Sequence, residues 1–461
     1  MKVLLVNPAK YYKEGNIWKS IDRCLPHLGL AYIAAVLEKN NHEIKILDLE
    51  AEQKSEPELK QFLQEFNPGI IGISSTTPMI NSALKLAEFC KRVLPKTLIA
   101  FGGVHASIMP SELLKEKFVD VIVRGEGELT FLELANGKKI SQIQGVSFKK
   151  NGKIMHNKDR APIQNLDDLP MPAYHLLPMS KYMPSLGNFK RLPAISIITS
   201  RGCPGKCTFC HTKVFGEKIR FESARKVFEE IEYLVENFGI KEISIYDDTF
   251  TANRQRIKEL CKMITDSKLA LTWSCMSRVD VIDEETLRLM KKAGCHQIGY
   301  GIESADEKIL ENINKRISLE QAKKAVMLTQ KAGIDARAMF MFGNPGESEE
   351  SLEKTLNYAI ELNPDLVIFN ITTPFPGTEM FEWARKNGFL KTLDWDDYDL
   401  SKPVMELPTV SSERIIQYYK KAYKRFYFRP KFLLKRLLKI RSLEDLKMAF
   451  KSVFAVSNLN K

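Results

Sequence analysis

The chain has 461 residues, of which 44% are apolar and 27% charged, and it carries a formal net charge of +12. That length is more than one hydrophobic core organises, so several domains are expected. The composition is that of a globular protein and excludes extended disorder; eight cysteines spread over this length are too few for a disulfide framework.

The charge is localised. Between Ser411 and Lys461, fourteen Lys and Arg stand against three acidic residues, which leaves the rest of the chain close to neutral. No apolar run approaches the roughly 20 residues of a membrane span. The opening MKVLLVNPAK lacks the apolar core of a signal peptide, so the expectation is a cytoplasmic protein.

In residues 1–138, apolar runs at Val3–Asn7, Glu43–Asp48, Ile70–Ser74, Leu98–Gly102 and Val119–Val123 alternate with amphipathic stretches at Leu28–Lys39, Glu56–Phe66, Asn81–Leu94 and Pro110–Lys117. This rhythm predicts a Rossmann-like, doubly wound parallel sheet. Its ligand loops should lie beyond the strand ends, at Asn7–Glu14, Ser74–Met79, Gly102–Ser107 and Gly125–Glu128. The first of them lacks the glycine pattern of a dinucleotide site.

Residues 139–192 read as a linker, with a hairpin around Asn151-Gly152 and a proline-punctuated stretch at Leu169–Pro178. A second βα series fills residues 193–390. Its strands are expected at Ala194–Ser200, Glu242–Asp247, Leu271–Met276, Gln297–Gly301, Ala336–Phe342 and Leu366–Asn370. Six units suit a partial (β/α)6 TIM-like barrel better than the closed eight-unit form, and chemistry is expected on the loops after the strands. Residues 391–461 read as a basic helical C-terminal region. The complete fold class is therefore α/β: a doubly wound sheet, a partial barrel and a helical end.

The loop after the first barrel strand is TSRGCPGKCTFCHT, residues 199–212, with Cys203, Cys207 and Cys210 spaced C-x3-C-x2-C. Three thiolates from one short loop can hold three irons of a four-iron cluster and leave the fourth iron an open position. Zinc held by the three cysteines and His211 is the other reading, although His211 adjoins Cys210 and makes joint tetrahedral ligation awkward. Cys24, Cys90, Cys261, Cys275 and Cys295 stand alone and are expected to be buried apolar thiols.

RGCPGKCTFCH, with Phe209 before the last cysteine, resembles the signature of radical S-adenosylmethionine enzymes. The resemblance implies that the open iron chelates S-adenosylmethionine, whose reductive cleavage gives a 5′-deoxyadenosyl radical. Other strand ends are similar to the family's motifs: Ile245-Tyr-Asp-Asp-Thr-Phe-Thr251, Tyr300-Gly-Ile-Glu-Ser304, Met341-Phe-Gly-Asn-Pro-Gly-Glu347 and Thr373-Pro-Phe-Pro-Gly-Thr378. They imply S-adenosylmethionine contacts at Phe209, Tyr246, Asp247, Asp248, Glu303, Ser304, Gly343 and Pro374. Arg278 and Arg337 are candidates for its carboxylate, because a planar guanidinium pairs bidentately, and each is equally open to a plain salt-bridge role.

The first domain lacks the second cysteine trio of a methylthiotransferase. Leu25-Pro-His-Leu-Gly-Leu-Ala-Tyr-Ile-Ala-Ala35, Gly72-Ile-Ser-Ser-Thr-Thr77, Gly102-Gly-Val-His-Ala-Ser107 and Arg124-Gly-Glu-Gly-Glu-Leu-Thr130 resemble the cobalamin-binding domain of cobalamin-dependent radical enzymes. The residues so implied are Asn7, Leu28, Gly29, Ser74, Ser75, Thr76, Thr77, Gly102, Gly103, Val104, His105, Gly125, Glu126, Gly127 and Glu128. No cobalt-ligating D-x-H-x-x-G motif follows the first strand. His105 is expected to pack or hydrogen-bond, and the Ser74–Met79 loop to meet the corrinoid without a histidine ligand.

The resemblance implies a cobalamin-dependent methyltransferase acting on an unactivated carbon or a phosphinate phosphorus, by way of the deoxyadenosyl radical and methylcobalamin. The alternative on the same cofactors is a cyclase of the anaerobic magnesium-protoporphyrin ester type, and one from another class is a zinc-stabilised nucleic-acid-binding protein. The implied cofactors are a 4Fe-4S cluster, S-adenosylmethionine and cobalamin, and the implied partners are a small-molecule or lipid-like substrate and a flavodoxin- or ferredoxin-type electron donor. No residue is assigned as catalytic. The basic, aromatic stretch Tyr418–Phe432 reads either as a helical cap over the barrel or as a peripheral membrane contact at the inner face; nucleic-acid binding is the weaker reading of the same residues.

Overall fold

The structure is a computed structural model and describes residues 1–11, 24–185, 187, 189–211 and 214–437. Residues 12–14 of the expected Asn7–Glu14 loop and residues 438–461 of the basic tail lie outside the described residues.

Five parallel strands build the first sheet: β1 (Lys2–Asn7), β2 (Glu43–Asp48), β3 (Ile70–Ser74), β4 (Leu98–Gly102) and β5 (Val121–Val123). Every residue of β3 is buried, as a strand with both faces covered requires. The order β2-β1-β3-β4-β5 reverses direction between β1 and β3, which opens the crevice where such sheets take ligands.

The same sheet continues through the antiparallel strands β6 (Val146–Lys150) and β7 (Lys153–His156). The hairpin at Asn151-Gly152 forms, with positive φ at both residues, as its two-residue turn demands. Its strands join the first sheet, past the expected boundary at residue 138.

The second sheet is six-stranded and wholly parallel, in the order β8 (Ala194–Ile197), β11 (Glu242–Ile245), β12 (Thr272–Ser277), β13 (Cys295–Glu303), β14 (Asp335–Phe342) and β15 (Leu366–Ile371). A short antiparallel ribbon of β9 (Ser200–Arg201) and β10 (Arg220–Phe221) follows β8. The crossover helices carry the expected start and stop signals. In helix Ala224–Phe238, Ser223 Oγ accepts from Lys226 N at 3.2 Å and Gly239 closes the end with a positive φ.

An open barrel exposes the outer edge of its last strand, whose unpaired backbone groups invite association. Here helix Ser412–Tyr427 covers that edge. The Tyr423 hydroxyl accepts from Phe369 N at 3.3 Å and donates to Phe369 O at 3.1 Å; that of Tyr427 does the same for Val367, at 3.1 and 2.6 Å. Tyr418, Tyr419, Phe426 and Phe432 are buried, while Lys421 and Arg425 pair with Glu353. Most aromatic residues of Tyr418–Phe432 thus pack against the barrel, while Phe428 is exposed. No helix among the described residues is long and apolar enough to cross a membrane.

Residues 391–410 are mostly irregular, where a basic helical region was expected. Trp395, Tyr398 and Val404 pack against the first domain in the cluster that contains Phe101 and Leu113. Trp395 Nε1 donates to Glu112 at 2.9 Å, and its ring meets that of His105 edge-on at 5.3 Å. From the linker, Tyr174, Leu177 and Tyr182 enter a core shared by both sheets. The two domains are therefore fastened from two sides.

Candidate active site

The cysteine loop spans residues 202–219, between β9 and β10. It turns at Gly202, where φ is +94° and a Cβ would lie 2.8 Å from Gly216 O. Only glycine suits that position. A Cβ at Gly205 would lie 3.4 Å from Cys203 Sγ, 3.9 Å from Cys207 Sγ and 3.8 Å from Arg278 Nη1. Two thiols and a guanidinium edge therefore border one small volume. Cys210 N donates to Cys207 O at 3.1 Å, and Cys210 is the most exposed residue of the three.

Burial pushes the Cys207 thiol up; it pushes Cys210 up to about 12, with the Asp248 carboxylate adding to the shift. Thiols in such surroundings stay protonated until a metal displaces the proton. The donor set fits a three-cysteine iron–sulfur site. His211 instead packs on backbone: a Cβ at Gly377 would be 2.8 Å from its Cδ2 and Nε2. Cys90, Cys261, Cys275 and Cys295 are buried, and Cys24 is partly so.

The loop is held by a segment to which no motif pointed. Thr208 N donates to Ile313 O at 3.0 Å, Asn314 Nδ2 donates to Lys206 O at 2.7 Å, and Met380 N donates to Thr208 O at 2.9 Å. Beside them Lys315 Nζ sits 2.7 Å from Glu303 Oε1, with Glu303 at a φ of +72°. A Cβ at Gly301 would come within 2.9 Å of Lys315 Nζ, so the buried pair needs that glycine. Lys315 also draws the Cys207 thiol down against its burial. Asn312-Ile-Asn-Lys-Arg316 has no recognisable spacing, and only its packing shows what it does.

The expected S-adenosylmethionine contacts divide into two groups. Tyr246 and Asp248 are exposed at the end of β11, Arg278 borders the thiols, and Arg337 is buried on β14 beside Tyr246. Arg278 is also held in a fork by Asp280, at 3.0 and 2.9 Å. Phe209 packs partly buried against the core. Asp247 is turned away: it accepts from Thr199 N at 2.6 Å, Thr199 Oγ1 at 2.7 Å and Ser200 N at 3.1 Å. Ser304 is buried, with its hydroxyl on Thr355 at 3.2 Å, and Gly343 lies under Ile415. Pro374 is buried. The side chains of Asp247 and Ser304 are thus engaged by the protein itself.

On the first sheet, Thr76 and Gly103 are exposed at the ends of β3 and β4, and Gly102 and Val104 partly so. Ser74, Ser75, Thr77 and His105 turn inward. Ser75 Oγ donates to Gly102 O at 3.0 Å, and His105 Nδ1 lies 3.2 Å from Thr77 Oγ1. Burial beneath Trp395 lowers the His105 pKa to about 4, and the ring packs between Trp395 and Thr77. A Cβ at Gly103 would meet Ser75 O at 2.6 Å. The result is a low floor of backbone and small side chains that fits a flat macrocycle with no histidine beneath it.

Asn7 Nδ2 donates to Asp48 at 2.9 Å. Leu28 is buried, and Gly29 is exposed at the start of its helix. Gly125 and Gly127 are partly exposed. The carboxylates of Glu126 and Glu128 in this loop are buried against Arg220 and Arg201, at 2.7 and 2.6 Å, and so face the barrel.

Comparison with known proteins agrees with both halves of this geometry. Residues 197–359 match the Radical SAM superfamily and residues 17–135 match the B12 binding domain. An uncharacterized methyltransferase of Pyrococcus horikoshii is 38% identical over 441 residues, 94% of each chain. The anaerobic magnesium-protoporphyrin IX monomethyl ester cyclase of Rubrivivax gelatinosus is 29% identical over 445 residues, covering 94% of this chain and 78% of its own. Among solved structures, the cobalamin-dependent S-adenosylmethionine radical enzyme OxsB superposes with a TM-score of 0.77 at 17% identity, over 99% of this chain and 72% of its own. The chain belongs to the family of cobalamin-binding radical S-adenosylmethionine enzymes that includes methyltransferases. Its cofactors are accordingly a 4Fe-4S cluster, S-adenosylmethionine and cobalamin, and the zinc-protein reading is set aside.

Proposed function

We propose that the protein methylates an unactivated carbon of a small molecule, with S-adenosylmethionine as the methyl source. The observation that carries this reading is the direct contact between the two cofactor-bearing domains, with Glu128 of the first domain 2.6 Å from Arg201 at the base of the cysteine loop. When bound, the cluster and S-adenosylmethionine supply a hydrogen-abstracting radical, and the corrinoid supplies the methyl group.

In this reading Cys203, Cys207 and Cys210 hold three irons, and the free edge of Arg278 faces the bound cofactor's carboxylate. Tyr246 and Asp248 line the open mouth. The buried Glu303–Lys315 pair keeps the wall beside Cys207 rigid and dry. Thr76, Gly102, Gly103 and Val104 form the corrinoid floor. The family needs an external one-electron donor, for which a small flavin or iron–sulfur protein is the proposed class.

The test is product analysis of the anaerobically reconstituted, chemically reduced enzyme. Formation of S-adenosylhomocysteine together with 5′-deoxyadenosine is expected. Deoxyadenosine without S-adenosylhomocysteine would match a cyclase-type outcome and overturn methyl transfer.

A further inference from the structure

Arg201 and Arg220 stand opposite one another on the β9–β10 ribbon, which closes the base of the cysteine loop. Both reach across the domain boundary to the loop after β5. Arg201 Nη2 donates to Glu128 Oε1 at 2.6 Å, and its Nη1 lies 3.5 Å from Glu126 Oε1. Arg220 Nη2 donates to Glu126 Oε1 at 2.7 Å. The two carboxylate side chains are 4% exposed and the arginines 9 and 10%.

The linker and the first domain complete the grip. Ile163 N donates to Glu126 Oε2 at 2.7 Å, and Ile163 O accepts from Arg220 Nη1 at 2.5 Å. The Tyr32 ring lies 5.1 Å from the Arg201 guanidinium, and its hydroxyl donates to Glu222, next to β10, at 3.1 Å.

Desolvation makes buried ion pairs a poor source of stability. Their directionality is another matter: a guanidinium fork donates to its partners in one plane and at one spacing, whereas an apolar contact tolerates sliding. We infer that Glu126, Glu128, Arg201 and Arg220 are positioning residues, a clasp that sets the distance and angle between the corrinoid floor and the cysteine loop. The inference rests on the proposed methyl transfer. It requires that transfer across the boundary depend on the clasp while S-adenosylmethionine cleavage at the cluster does not.

The test compares the parent enzyme with Glu126→Gln/Glu128→Gln, which keeps shape and removes charge on the first-domain side, and with Arg201→Lys. Each is reconstituted, and iron and cobalamin content, both S-adenosylmethionine products and backbone hydrogen exchange are measured. Misplacement of one reacting centre costs about 10²-fold in rate, so S-adenosylhomocysteine formation should fall by about that factor. Deoxyadenosine formation and both cofactor contents should hold, with faster exchange at residues 125–128 and 200–203. Unchanged product ratios and exchange would overturn the clasp, as would a parallel fall of both products. If the Gln variant does not fold, Arg201→Lys gives the same comparison. A parent that forms no S-adenosylhomocysteine overturns the proposed function, and the exchange data then decide the clasp by themselves.

Discussion

At the scale of single residues, adjacent positions have opposite fates. Asp247 and Asp248 are indistinguishable as letters, yet Asp247 is spent on Thr199 and Ser200 while Asp248 faces Cys210. Successive side chains beyond a strand tend to alternate faces, and only the fold says which face is the mouth. The cysteines were legible because their spacing is itself the chemistry. Replacing Cys203, Cys207 and Cys210 with alanine should remove about four irons and leave cobalamin bound; metal and corrinoid analysis of the purified variant checks this, and zinc in the parent would refute it. Glu347 offers a second prediction. Its carboxylate organises the loop by accepting from Asn344 N at 2.8 Å and from Gly343 N, and burial raises its pKa to about 8. A carboxyl raised in the folded state contributes stability below its unfolded pKa and loses it as pH rises through the folded value. Thermal stability should therefore decline between about pH 4.5 and about pH 8. Glu347→Gln should flatten part of that decline, as melting curves across this window would reveal.

At the scale of elements, the apolar runs foretold all eleven parallel strands to within three residues at either end, since a strand buried on both faces must be written almost entirely in apolar residues. What the runs could not convey was partnership. The hairpin at Asn151 looked like part of a linker because a turn does not encode which sheet it joins. Likewise, the spacing of Tyr423 and Tyr427 announces a helix face and nothing about its target. In the structure their hydroxyls replace a missing neighbour strand. Tyr423→Phe and Tyr427→Phe should each cost about 1 kcal/mol, the worth of an ordinary hydrogen bond. Backbone exchange at Val367 and Phe369 should rise in the corresponding variant. Unchanged exchange in both would show that the phenols do not protect the edge.

At the scale of the whole molecule, the C-terminal segment decides how firmly the first domain is held. Trp395 is buried against His105, Phe381 and Tyr398 and donates to Glu112, although barrel strands intervene in sequence. Trp395→Ala should cost about 3–5 kcal/mol, as large-to-small changes of buried aromatics do, and the loss should fall on one side of the molecule. Reduced cobalamin retention at unchanged iron content is expected. Equal loss of both cofactors would mean that the contact supports the fold as a whole.

The sequence by itself determined the two βα series, the metal-binding loop and the family, because strand burial, crossover rhythm and thiolate spacing are local properties. It also indicated that no histidine would serve the corrinoid from below, since the motif that supplies one is missing. The partners of charged and aromatic side chains were settled in three dimensions. Glu126 and Glu128 lie in a loop that resembles a cofactor motif, yet they grip arginines 94 and 73 residues away. The basic, aromatic helix Ser412–Tyr427 seals the barrel edge. A buried charge or hydroxyl must find a complementary group, and which group lies within reach is a property of packing that no window of sequence contains.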